Sequence, residues 1–169
     1  MSASADTLYF NNHKLSYELS KKWKVFSKTP SEGYLDVIYK RTPIKDSRGI
    51  QVIPNLVIKL IKIVPDPSRD STNIEMFTTI CLLNFAPPEV LNDYKNSRDL
   101  APEFGLDPQN SFGFNSPYFD KFGSNHICLY FIVYDKERYG LFILIDSTEE
   151  VFPKIKNEVT TFLRSIHRS

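Results

Sequence analysis

Polar and apolar positions alternate through the first third of the chain. Residues 15–19, Leu-Ser-Tyr-Glu-Leu, place every second side chain on one face, the pattern of a half-buried strand. A lysine-flanked turn then leads into Trp23, Val25 and Phe26, a second short extended piece. After the break at Pro30 and Gly33, residues 35–40 read as a third strand, and 43–49 as a polar loop. Residues 55–64 are rich in β-branched side chains, and Pro65 and Pro67 close that strand. Strict alternation fails near Lys62, which predicts a bulge or a strand end there.

From Asp70 the period changes. Ile74, Phe77, Thr78 and Cys81 recur at i, i+3, i+4, i+7, one face of a helix, with Asp70, Ser71 or Thr72 available to cap its first amides. Pro87 and Pro88 stop it, and Pro88-Glu89 starts a second short helix through Val90, Leu91 and Tyr94. Near the end, residues 127–134 and 139–145 are apolar strands joined by Asp-Lys-Glu-Arg, an antiparallel hairpin. Phe152, Ile155, Val159, Phe162, Leu163 and Ile166 then follow helical spacing. Ser147 and Glu150 have the spacing of a capping box, Pro153 fits a first helical turn, and Glu149-Glu150 suit a helix N-terminus. This amphipathic helix must lay its stripe on the sheet. The order of strands, helix, irregular middle, hairpin and helix predicts an α+β protein with helices packed on an antiparallel sheet.

Residues 99–125 break the pattern. Pro102, Gly105, Pro108, Gly113, Pro117 and Gly123 forbid a long regular element, yet the stretch holds Phe104, Phe112, Phe114, Tyr118, Phe119 and Phe122. Rings in a long loop either pin it to the core or project toward a ligand. Phe112, Phe114, Tyr118 and Phe119 fall within eight residues and are the candidate partner-binding residues.

Composition adds bounds. A chain of 169 residues is long enough for one sizeable core, so residues 11–169 are expected to form one domain behind a polar, flexible lead-in over 1–10. The lead-in has neither a basic nor an apolar signal region, which fits a cytoplasmic protein. It equally fits an exported or lipid-anchored one whose signal segment is absent from this chain. The longest apolar run, 127–134, is strand-sized, so no membrane span is expected. Thirteen Phe and nine Tyr form a surplus of rings suited to a padded core or a contact surface. Net charge is +1, but residues 1–64 carry 11 Lys/Arg against 5 Asp/Glu, and residues 65–135 carry 4 against 10. Such an imbalance either builds a bipolar surface or merely reflects which strands and loops carry which sign. The basic excess is too modest and too scattered for nucleic acid. Cys81 and Cys128 sit in apolar runs and are expected to be buried thiols, with a single bridge between them still open.

The layout resembles the Mog/PsbP-like superfamily, which includes the Ran-binding Mog protein, the PsbP subunit of photosystem II and bacterial lipoproteins. The resemblance lies in Tyr17-Glu18-Leu19 leading through Ser20-Lys21-Lys22 to Trp23, the meander and helix that follow, and the closing hairpin. That hairpin runs into a helix ending at Phe162-Leu163-Arg164-Ser165-Ile166. It implies an α/β/α sandwich around a central antiparallel sheet, and a role in binding proteins or assemblies instead of catalysis. It carries no functional residue onto this chain.

Motifs for chemistry are missing from the sequence. There is no Gly-x-Ser-x-Gly elbow, both cysteines lie where a thiolate is disfavoured, and the glycines stand singly. His13, His126 and His167 form no i, i+4 pair for zinc, and His126 reads as a polar strand-end residue. No catalytic residue, metal or cofactor is expected. The first reading is a non-enzymatic protein-binding or assembly-accessory domain with an unidentified protein partner, itself a monomer or weak dimer. The second is a small-molecule-binding or hydrolytic protein with a pocket beside residues 99–125.

Overall fold

The computed structural model describes residues 3–63, 73–135 and 139–168. The chain opens with a hairpin, β1 (Ala3–Phe10) and β2 (His13–Ser20), turned at Asn11 and Asn12 with φ of 47° and 68°. Two consecutive left-handed residues are what a two-residue hairpin turn requires, and Asn tolerates them. The expected flexible lead-in is therefore corrected over 3–10: these residues pair with β2 from Ala3↔Ser20 to Phe10↔His13, and Leu8 is buried.

The main sheet is antiparallel throughout. It runs in the order β3 (Trp23–Pro30), β4 (Tyr34–Arg41), β7 (Asn55–Lys62), β11 (Tyr139–Thr148), β10 (Asn125–Tyr134) and β8 (Ser111–Asn115), with β9 (Tyr118–Phe119) paired to the start of β10. The short pair β5 (Ile44–Lys45) and β6 (Gln51–Val52) caps one end. The predicted final hairpin is present as β10 and β11; residues 136–138 of its turn lie outside the described residues. The strand end expected near Lys62 is observed, since β7 stops there, and a register shift between Val25 and Ser27 interrupts β3.

Alternation along the strands gives the sheet two apolar faces. On one face Leu35, Val37, Tyr39, Leu56, Ile58, Leu60, Leu141 and Ile143 pack with β2 and with α3 (Phe152–Ser165). The helix contributes Phe152, Ile155, Val159, Phe162 and Leu163, all buried as its spacing predicts. The opposite face carries Phe114, Tyr130, Ile132 and Phe142. It meets α1 (Ile74–Phe85) through Phe77, Cys81 and Leu82, and α2 (Pro88–Lys95) through Val90. The result is the expected α/β/α sandwich, with the three-stranded layer β1–β2–β12 (β12 being His167–Arg168) added beside α3.

Helix α1 is capped by Asn73, whose side chain accepts from the Met76 amide; the expected caps Asp70, Ser71 and Thr72 lie outside the described residues. α1 approaches the sheet at Gly140, where an added Cβ would stand 2.1 Å from the Phe77 ring. The capping box at α3 does not form. Thr148 Oγ1 accepts the Val151 amide instead, and Glu150 accepts from the amide and hydroxyl of Ser47. Both cysteines are free and buried, and burial pushes each thiol up to about 12. No helix among the described residues is long and apolar enough to cross a membrane.

Candidate interaction site at the Tyr118 to Phe122 turn

The four aromatic candidates separate in the fold. Phe114 is fully buried, stacked on Tyr130 at 5.2 Å and tilted against Tyr94 at 5.5 Å. Phe112 is half-buried and meets Tyr94 edge-on. Both belong to β8 and not to a loop: Phe114 is core, which corrects it as a contact residue, and Phe112 is half-buried against Tyr94 of α2. Tyr118 and Phe119 remain outside, 42% and 76% exposed, and Phe122 joins them at 66%.

Phe119 and Phe122 flank a tight turn. Asp120 Oδ1 accepts the amides of Phe122 and Ser124, and the turn closes through Gly123 at φ +76°, a conformation that only glycine adopts freely. Strand β9 ties the turn to β10 through Asn125↔Phe119 and His126↔Tyr118. These bonds fix the backbone that carries the rings, which lowers the ordering cost when a partner covers them.

Behind the turn lies an arrangement that the sequence did not reveal. His126 Nε2 is 2.9 Å from Asp120 Oδ2, and Nδ1 is 2.7 Å from Asp146 Oδ1. Tyr118 stacks on the imidazole at 4.6 Å, and its hydroxyl donates to Asp146 Oδ2. Register explains the convergence: His126 pairs with Thr148 and Cys128 with Asp146, so Asp146 sits diagonally on the same face as His126. Arg48 donates to Ser124 Oγ and to Asp46 Oδ2, joining the turn to the β5–β6 end, where Ile50 and Ile53 are also exposed.

Only an imidazolium can donate from both nitrogens, so two facing carboxylates select the charged form. Partial burial alone would lower the His126 pKa. The hydrogen bonds and charges of Asp146 and Asp120 outweigh it, and the value lies above the ordinary one for histidine. Asp120 is held low, by the Ser124 amide first and then by His126. Burial, then Asp146, raises Tyr118. The clamp thus strengthens the fold below the unfolded histidine pKa and is lost as pH rises through the raised folded value. NMR titration should place the His126 midpoint above the ordinary 6.5, and His126→Gln should flatten the decline of melting temperature between 6.5 and that midpoint. A midpoint below 6.5 would exclude the double hydrogen bond.

A second concavity lies between α1, α2 and β8: an open cleft of about 390 Å³ lined by Ile74, Glu75, Tyr94, Lys95, Ser97 and Phe112. It stands beside the 99–125 stretch, where the second reading expects a pocket. No group of three or more His, Cys, Asp or Glu side chains suited to a metal occurs among the described residues.

No family model matches the chain, and no curated protein matches it. Solved structures do. A point mutant of protein Mog1 superposes with TM-score 0.53 at 12% identity, covering 99% of this chain and 96% of that one. The Ran-binding protein Mog1p of Saccharomyces cerevisiae gives 0.50 at 10% identity, over 99% and 96%. Cyanobacterial PsbP from Synechocystis gives 0.40 at 14% identity, over 100% and 95%. The fold is similar to that of Mog1.

Proposed function

We propose that this chain is a non-enzymatic protein-binding domain that grips its partner through the Tyr118–Phe122 turn. The observation that carries this reading is the pair of rings, Phe119 and Phe122, held in water by a closed hydrogen-bonded turn. Large apolar side chains exposed on a rigid element have the character of interface anchors, which concentrate in aromatic residues and arginine. Arg48, tied to the same turn, supplies the second kind. The shared fold supports the reading, since one of the matching proteins is described as Ran-binding; Ran is therefore the first bait.

Phe119→Ser combined with Phe122→Ser should leave the melting temperature within about a degree of wild type, because neither ring is packed in the core. Loss of two anchors at roughly 2 kcal/mol each weakens binding by about three orders of magnitude. Affinity capture from the native source with mass-spectrometric identification, followed by titration of the purified partner and of Ran, measures this. Undiminished capture by the double variant would remove the turn from the interface.

The cleft at Tyr94 and Phe112 favours a second reading, a small-molecule binder in which the two rings form an apolar wall and Glu75 and Lys95 orient polar ends. A thermal-shift screen with Glu75→Ala as control separates the two.

A further inference from the structure

We propose that the β3 edge of the main sheet is a docking surface for an anionic lipid bilayer. The uneven charge of the sequence becomes spatial here. The acidic middle of the chain supplies Glu89 and Asp93 on α2, Glu103 in the turn after it and Asp107 before β8, all on the β8 side of the sheet. The opposite edge, β3 with its leading turn and its neighbour β4, carries Lys21, Lys22, Lys24, Lys28 and Lys40, none within ion-pair distance of a carboxylate among the described residues.

Lysines on an edge strand ordinarily protect it from pairing with another sheet. Protection alone does not account for Val25 and Phe26, exposed by 54% and 63% in the middle of that lysine row. α3 meets β3 only at Trp23, and beyond that residue the strand is largely exposed on both faces. Lys40 lies with its ammonium 3.7 Å from the Phe26 ring centroid, so charge and ring already share one place.

Three features favour a lipid surface over an acidic protein. The edge presents side chains on both faces, Val25 beside Tyr39 on one and Phe26 beside Lys40 on the other, so a protein socket would have to clasp both sides. Strand addition is opposed by the register break at Phe26 and by Pro30. All five cations are lysines, point charges suited to scattered phosphates; the neighbouring arginine, Arg41, is turned inward onto Glu158. A headgroup layer asks for no shape. It rewards each nearby lysine and accepts apolar side chains at its boundary. The edge lies four strand spacings from β10, about 19 Å, so a membrane and a protein held at the Phe119 turn need not compete.

Vesicle flotation tests this with the full chain. Binding should be absent on phosphatidylcholine vesicles, appear at about 30% phosphatidylserine, and fall about tenfold or more between roughly 50 and 300 mM salt. Lys24→Glu, Lys28→Glu and Lys40→Glu together should abolish it at unchanged melting temperature, and Phe26→Ser should weaken it severalfold. Phe26→Trp should shift its emission to the blue on anionic vesicles only. Equal binding to both vesicle types, or no loss in the triple-lysine variant, overturns the proposal. Failure on vesicles with capture by immobilised polyglutamate also overturns it, and reassigns the edge to an acidic polypeptide.

Discussion

Glu158→Ala should lower stability by about 3–5 kcal/mol, close to the largest effect available to a single side chain here. At roughly 2–4 °C per kcal/mol for a chain of this size, the melting temperature drops on the order of 10 °C. Glu158 projects from α3 into the apolar layer and meets Arg41 in a paired fork, Nε to Oε2 at 2.8 Å and an Nη to Oε1 at 2.8 Å. Its Oε2 also accepts the Trp23 indole N–H at 2.9 Å. Both charged side chains are nearly dry, at 6% and 2% exposure. Truncating the acid leaves a buried guanidinium unpaired and an indole N–H without its acceptor, and the desolvation cost of both then stands alone. Arg41→Met with Glu158→Leu should recover most of the loss, because an apolar pair removes both charges together. If Glu158→Ala alone melts within a degree or two of wild type, water reaches Arg41 and the pair is not dry. Burial alone would raise the Glu158 pKa; Arg41 and Trp23 outweigh it and hold the carboxyl low. The pair therefore stabilises above the ordinary glutamate range and is lost as pH falls through the lowered value.

That ion pair also gives the Trp-bearing turn its physical reason. The tryptophan sits where β3 leaves the turn, and its indole reaches across to α3. Sequence alone marked Trp23 as a feature of the layout, but not its partner, because Glu158 lies 135 residues away.

Elements whose apolar spacing is local were legible: the β10–β11 hairpin, the stripe of α3, and the face of α1 through Phe77 and Cys81. Elements whose own residues carry little strand or helix character were not. Residues 3–7, Ala-Ser-Ala-Asp-Thr, have weak strand character and become β1 because β2 offers an edge. The overlooked local sign was Asn11-Asn12, a pair that tolerates the left-handed turn. Gly113 was read as a breaker, yet it is the middle of β8. An added Cβ there would stand 2.5 Å from the Phe131 ring, so the glycine marks close approach. The Asp120–His126–Asp146 clamp was invisible for a third reason. Strand register creates it, and no spacing within the chain encodes that register.

Phe112→Ser combined with Phe114→Ser should unfold the protein or cost well over about 4 kcal/mol, the reverse of what an exposed aromatic loop would give. Phe114 is sealed on every side. Tyr130 stacks on it, Tyr94 and Phe112 lean against it, and Val90 and Cys128 share its cluster. Deleting one buried phenyl ring costs about 3–5 kcal/mol, and a serine hydroxyl adds a polar atom with no assured partner. Phe112 adds less, since its ring is partly wet at the lip of the cleft, between Tyr94 and Phe114. Chemical denaturation of this pair, set beside Phe119→Ser with Phe122→Ser, decides how the aromatic stretch divides. The first pair should shift the midpoint far to the left, and the second should leave it in place while abolishing capture. Equal tolerance of both pairs would mean that β8 does not pack as described. Equal collapse would mean that the turn is part of the core, and the binding reading would fall with it.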